Sequence, residues 1–150
     1  MKLIAFCLLA VCCYSLANTE TNGAGRSIKS IKLQEVLNFL KETRENLQPS
    51  EQLLNTPPQD IEDCCCLPAL ECFRKNLLEQ LSGAEGERRK LLKSLRHPLT
   101  ASGLNFCTSA NNQTTCQSCD SHPKQNVATF FNRMETLIQS AITRLNMNGE

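Results

Sequence analysis

Residues 63–72 read DCCCLPALEC, so three cysteines stand in a row and a fourth follows two helical turns later. No other feature restricts the fold as strongly, because the use of four clustered thiols depends on the compartment. The first 17 residues, MKLIAFCLLAVCCYSLA, carry one cation, Lys2, and then an apolar run ending Ser15-Leu16-Ala17. That is the pattern of a secretory signal peptide, with cleavage expected after Ala17. A membrane-spanning helix needs roughly 20 apolar residues. No such run occurs elsewhere, so a secreted, extracellular product without membrane insertion is expected. The leader takes Cys7, Cys12 and Cys13 with it and leaves seven cysteines: Cys64, Cys65, Cys66, Cys72, Cys107, Cys116 and Cys119. In an oxidising compartment these pair as disulfides, and an odd number leaves one over.

Geometry narrows the pairing. On a helix Cys65 and Cys72 share a face about 10.5 Å apart along the axis, too far to bond to each other. Cys116 and Cys119 in extended chain are also roughly 10 Å apart. A loop laid along the helix can therefore form two rungs, in either the straight or the crossed order. Cys64 lies about 80° and Cys66 about 120° off the Cys72 face, so Cys65 is the best placed of the three. Pro68 fits a first helical turn but disfavours helix at Leu67, which can leave Cys65 on the lead-in. Cys107 is then expected to take one of Cys64 and Cys66 and to leave the other.

The apolar rhythm gives four helices in a single domain over residues 28–147, after a polar, flexible stretch at 18–27. The first, residues 28–47, carries Ile28, Ile31, Val36, Leu37, Leu40 and Leu47 at helical spacing, with Leu33 close to that stripe. Pro49 closes it. A Pro-rich connection follows, with Pro57 and Pro58. The second helix, around 66–82, has Leu70, Phe73, Leu77, Leu78 and Leu81, and Ser82-Gly83 ends it. The third, around 85–97, carries Leu91, Leu92 and Leu95, and His97-Pro98 stops it. Residues 98–123 are polar, without an element of their own, and tied down by cysteines. The fourth helix keeps an i, i+3, i+4, i+7 rhythm from Val127 to Leu145. No strand pattern is present. Connections that are long, short and long permit an up-up-down-down bundle.

Composition excludes some functions. Without Lys2 the chain has 15 basic and 15 acidic residues, which argues against nucleic acid as a partner. There is no Trp and the one Tyr is in the leader, so the core is built mainly from Leu and Ile. Cys116-Gln117-Ser118-Cys119 could be a redox dithiol or half a zinc site. A secreted chain with no βαβ pattern, no second such motif and only His97 and His122 argues for neither. No cofactor, no metal and no enzymatic activity are expected, and both histidines read as surface residues. Arg88, Arg89, Lys90, Lys93 and Arg96 could form a heparin-type patch; the short cluster reads better as a solvated or receptor-facing surface. Asn112-Gln113-Thr114 is a glycosylation sequon, expected to be used.

Two blocks carry a family resemblance. CQSCDSHPKQNVATFFNRMETLIQSAI resembles the lead-in and last helix of the interleukin-2/15/21 family of short-chain four-helix cytokines. PPQDIEDCCCLPALECF is similar to that family's Pro-rich approach, with two cysteines seven apart before a Phe. IKSIKLQEVLNFLK is similar to its first helix in the mix of basic and apolar residues. The resemblance covers most of residues 26–146 and implies an all-α, short-chain up-up-down-down bundle. It implies the pairing Cys65–Cys116 and Cys72–Cys119. It further implies a secreted monomer that bridges a private receptor of the interleukin-21 type and the common gamma chain, and so triggers JAK and STAT signalling in lymphocytes. By position, Gln139 and Ile142 would face the common gamma chain. Ile28, Lys29, Lys32 and Glu35, with Lys93 and Arg96, would face the private receptor. On pattern alone Gln139 is a boundary residue, Ile142 core, and the charges a solvated face. The cysteines beyond four and a longer first connection depart from the family. An interleukin-2/15-type relative is the nearest alternative. A saposin-like lipid-binding protein would want six cysteines spread over its helices, and a secreted thiol oxidoreductase would want a sheet scaffold.

Overall fold

A computed structural model describes residues 28–107 and 115–147. The expected leader, the stretch 18–27 and the sequon at Asn112 lie outside the described residues. The chain is mostly helical and carries three disulfides. Its helices are α1 (Ile28–Glu45), α2 (Cys66–Glu79), α3 (Glu85–Leu95), α4 (Pro98–Gly103) and α5 (Val127–Met147). Two short strands, β1 (Leu53–Asn55) and β2 (Lys124–Asn126), pair antiparallel.

In α1 the buried stripe is Ser30, Leu33, Val36, Leu40 and Thr43. Ile28 and Ile31, expected within it, are instead 66 % and 55 % exposed. The reason is angular: Ile31 lies about 160° round the helix from Leu33, and the larger set of apolar residues follows Leu33. Thr43 is tolerated inside because its hydroxyl donates to the Phe39 carbonyl at 2.7 Å. Near the other end, Ser30 Oγ donates to Asn146 Oδ1 at 3.2 Å and joins the start of α1 to the end of α5.

Leu78, also expected inside, is 64 % exposed. It sits about 140° from Phe73 on α2, and Asn76 holds the neighbouring buried position. Burying an amide is costly unless it is bonded; Asn76 Nδ2 donates to the Cys72 carbonyl at 3.0 Å. The helix ends earlier than Leu81, whose N–H turns back to the Asn76 carbonyl at 2.9 Å. Gly83 (φ 100°) and Ala84 (φ 48°) then reverse the chain in left-handed conformations, and α3 begins.

The stretch 98–123 does contain structure. Pro98, read as a stop, is also a favoured first residue of the next helix. It opens α4, with His97 Nδ1 accepting from the Leu99 N–H at 3.1 Å. The strand pair was not legible because its sequences, LLN and KQN, show no alternation. Tertiary packing sets it: Leu54 is fully buried. The register is Leu53 with Asn126, Leu54 with Gln125 and Asn55 with Lys124. The Thr56 N–H extends the pairing to the Pro123 carbonyl at 3.0 Å. The two long connections are therefore joined side by side.

α1 packs against α3, α4 and α5, and α2 against α3 and α5. The core holds leucines from every one of these helices except α4, with Leu104 just beyond it. Phe73 and Phe130 meet edge to face at 5.2 Å between ring centres, and Phe130 and Phe131 at 5.7 Å. Aromatic pairs in this geometry contribute about 0.5–1.5 kcal/mol beyond their buried area.

Candidate functional site

The cysteine cluster organises one end of the molecule. Asp63–Cys65 form a single 3-10 turn that leads into α2. Cys64 bonds to Cys107, Cys65 to Cys116 and Cys72 to Cys119. The last two run in straight order, with Cys65 on the lead-in and Cys72 on the helix. Cys66 is free and buried. Burial, first, and the nearby Asp63 charge push its thiol above its ordinary range, against a smaller opposing effect of Arg144. A thiol in that state is a poor nucleophile. The two sulfurs of the C-x-x-C motif are each committed to a different partner on α2 or its lead-in. Among the described residues no group of three or more His, Cys, Asp or Glu side chains could hold a metal ion.

Two concave strips run along α1. The first lies between α1 and α3. Lys32, Glu35 and Phe39 line one side, and Lys90, Lys93 and Ser94 the other, with His97 alongside. Lys32 Nζ and Glu35 Oε2 pair at 2.6 Å, one helical turn apart. Three of the six residues that the resemblance assigns to a private receptor therefore share this strip: Lys32, Glu35 and Lys93. Ile28 and Lys29 precede it on α1. Lys29 lies where α4 crosses closely: a Cβ at Gly103 would sit 3.5 Å from Lys29 Cβ and 3.2 Å from Leu33 Cδ1. Arg96 is not in the strip; it lines the neighbouring groove between α2 and α3.

The second strip lies between α1 and α5. It is lined by Gln34, Leu37, Asn38, Lys41, Arg44 and Glu135, among others. A polar relay crosses it. Gln139 Nε2 donates to Glu135 Oε1 at 3.3 Å, and Glu135 Oε2 accepts from Arg44 Nη1 at 3.3 Å. Arg44 also donates to Asn132 Oδ1. Gln139 is thus exposed and held at the end of a cross-helix network. Ile142 is only 7 % exposed, so a partner on this face meets its edge at most. Sequence reasoning missed Arg44 and Glu135. The i, i+4 spacing of Glu135 and Gln139 was a usable signal; the partnership with Arg44 was not.

His97 and His122, expected on the surface, are half-buried. His97 caps α4. The ring of His122 has its Nδ1 buried without a partner, and burial holds its pKa below the ordinary value. No protein-family model matches the chain, and no solved structure matches it. Among the described residues no helix is long and apolar enough to cross a membrane. Three disulfides fit an oxidising, extracellular compartment.

Proposed function

We propose that the chain is a secreted cytokine of the interleukin-21 type, a four-helix bundle in which α1, α2, α3 and α5 run up-up-down-down. It does no chemistry. It binds a private receptor and the common gamma chain at once, and so starts JAK and STAT signalling in lymphocytes.

The observation that carries this reading is the sharing of α1 by two separate strips. One holds Lys32, Glu35 and Lys93; the other holds Arg44 and Glu135, whose relay leads on to Gln139. A protein that bridges two receptors needs two faces on one stiff body, and a helix common to both keeps their angle fixed. The paired long connections, joined through β1 and β2, support the topology, because an up-up-down-down bundle needs two crossovers. The disulfides and the fully buried Leu and Phe core support the stiffness.

The division of labour follows from interface physics. Buried anchors give most of the affinity, while charges such as Lys32 and Lys93 steer encounter and fix specificity. The test is surface binding of the oxidised protein to ectodomains of the interleukin-21-type receptor and the common gamma chain. Binding to both is expected. Binding to an interleukin-2/15-type private receptor in place of the first would move the chain to that branch. Binding to neither, by protein with all three disulfides formed, would overturn the reading.

A further inference from the structure

Helix α3 and Arg96, which caps its end, carry more positive charge than the fold requires. Arg89, Lys90, Lys93 and Arg96 are all exposed, and among the described residues none of them has an ion-pair partner. Elsewhere Lys32, Arg44, Lys75 and Arg144 each meet a carboxylate. Arg89 and Lys93 stand one turn apart, as do Lys90 and Lys93, and Lys93 and Arg96. Like charges at those spacings destabilise a helix. The helix dipole favours cations only near the C-terminal end, which accounts for Lys93 and Arg96 but not for Arg89 and Lys90.

The ridge has a concavity on each flank. On the α1 side lie Lys32 and His97, with Glu35 already engaged by Lys32. On the α2 side the groove is lined by Arg74, Lys75, Arg88, Arg89 and Arg96 against Glu71, Glu79 and Glu85. Lys75 is shared with Asp120 at 3.8 Å, and Arg88 donates to the Leu81 carbonyl. The excess is therefore positive on both sides of the ridge. From Arg89 to Arg96 it runs about 10.5 Å along the axis, which suits a row of anions on one strand.

We propose that this ridge binds a sulfated polysaccharide of the extracellular matrix or cell surface. Three observations choose that polyanion. A single-stranded nucleic acid is held by aromatic platforms, and no Phe lines the ridge's α2 side, while the α1-side strip holds one, the half-buried Phe39. A membrane surface needs an exposed apolar face, whereas Leu91, Leu92 and Leu95 point into the core and Leu78 is a single exposed leucine among the charges lining the α2-side groove. The disulfides fit the compartment in which sulfated polysaccharides occur. Arginine forks suit sulfate oxygens by the same bidentate geometry that suits phosphate. This inference goes beyond receptor bridging and stands without it.

The experiment measures binding of the oxidised protein to heparin at physiological salt, beside hyaluronan, which has carboxylates and no sulfate, and single-stranded DNA. Two variants each remove two exposed cations: Arg89→Ser/Lys93→Ser on the ridge, and Lys41→Ser/Lys124→Ser away from it. Circular dichroism checks that both stay helical. The expected result is heparin binding at least tenfold tighter than hyaluronan or DNA, at least tenfold weakened in the ridge variant and changed less than twofold in the control. An equal loss in both variants would reduce the effect to net charge and overturn the proposal. So would equal affinity for DNA, which would make the ridge a general polyanion site, or no heparin binding at all.

Discussion

Arg144, in the last turn of α5, holds Asp63 with both arms of its guanidinium: Nη1 to Oδ1 at 2.5 Å and Nη2 to Oδ2 at 3.0 Å. The same guanidinium lies 4.1 Å from the centre of the Phe106 ring. One side chain thus ties the end of α5 to the cysteine turn before α2 and to the segment that carries Cys107. A cation in the last turn of a helix is also favoured by the helix dipole. The hydrogen bond from Arg144 holds the Asp63 carboxyl below its ordinary range; burial opposes this slightly, and the Arg144 charge adds to it.

That contact makes stability depend on pH in a definite sense. A carboxyl whose folded pKa is depressed contributes stability that is fully present above its unfolded value, about 3.9, and lost as pH falls through the folded value. The side chains are 42 % and 37 % exposed, so solvent screening cuts the pair to about 1 kcal/mol. Asp63→Asn should cost about that much at pH 7 and clearly less at pH 3. Arg144→Ala should cost about 2 kcal/mol, because the ring contact goes too. Urea midpoints at both pH values check this. A gap that stays constant with pH would show that the pair contributes nothing.

The three disulfides should not be equivalent. Cys64 and Cys65 are neighbours, and their partners, Cys107 and Cys116, are close in sequence. With Cys65–Cys116 in place, Cys64–Cys107 closes only a short extra loop, and the chain-entropy model gives it about 3 kcal/mol. Cys65–Cys116 or Cys72–Cys119, spanning 51 and 47 residues, would each give roughly 4 kcal/mol if it were the only cross-link. The variant Cys64→Ser/Cys107→Ser should therefore fold and keep the other two bonds, at a cost of about 3 kcal/mol. Peptide mapping and denaturant unfolding of the variant are the measurements. Scrambled pairing in the variant would contradict this.

The buried, raised thiol of Cys66 should be inert while the chain is folded. Treated with iodoacetamide at pH 8, the native protein should take up no label there. In denaturant Cys66 should react fully. Labelling in the native state at the rate of a free thiol would mean that α2 opens locally or that Cys66 is not enclosed.

How much of this could be read in advance differs between elements. The fourth helix was legible from end to end because its buried residues form one uninterrupted stripe. The first was legible as a helix but not in its rotation: Ile28 and Ile31 look like core, and only the packing of α3, α4 and α5 around Leu33 selects the other face. β1 and β2 were illegible for the opposite reason. Their three-residue pairing depends on the burial of Leu54 and on two connections meeting, neither of which is local. Gln139 could be marked from sequence; its tether through Glu135 to Arg44 needs two helices in place.

Ala84 marks a spot where the sequence works against its own backbone. It adopts φ 48° and ψ 46°, a left-handed conformation, at the start of α3. That region costs a non-glycine residue roughly 1–2 kcal/mol. Ala84→Gly should raise stability by up to about 1 kcal/mol, the freedom gained by the unfolded chain offsetting part of the relief. Ala84→Val should lower it. Thermal melts of the two variants give the sign, and a destabilised Ala84→Gly would mean that the turn is not left-handed in solution.

On the proposed function, one stiff body presents two separate receptor faces. The most direct measurement is the mass, by light scattering, of the oxidised protein mixed with both receptor ectodomains, repeated with Gln139→Asp. A complex of one copy of each component is expected. Gln139→Asp should lose the common gamma chain and keep the private receptor. If the two ectodomains displace one another, or if the single substitution releases both, the two faces are not separate and the account is wrong.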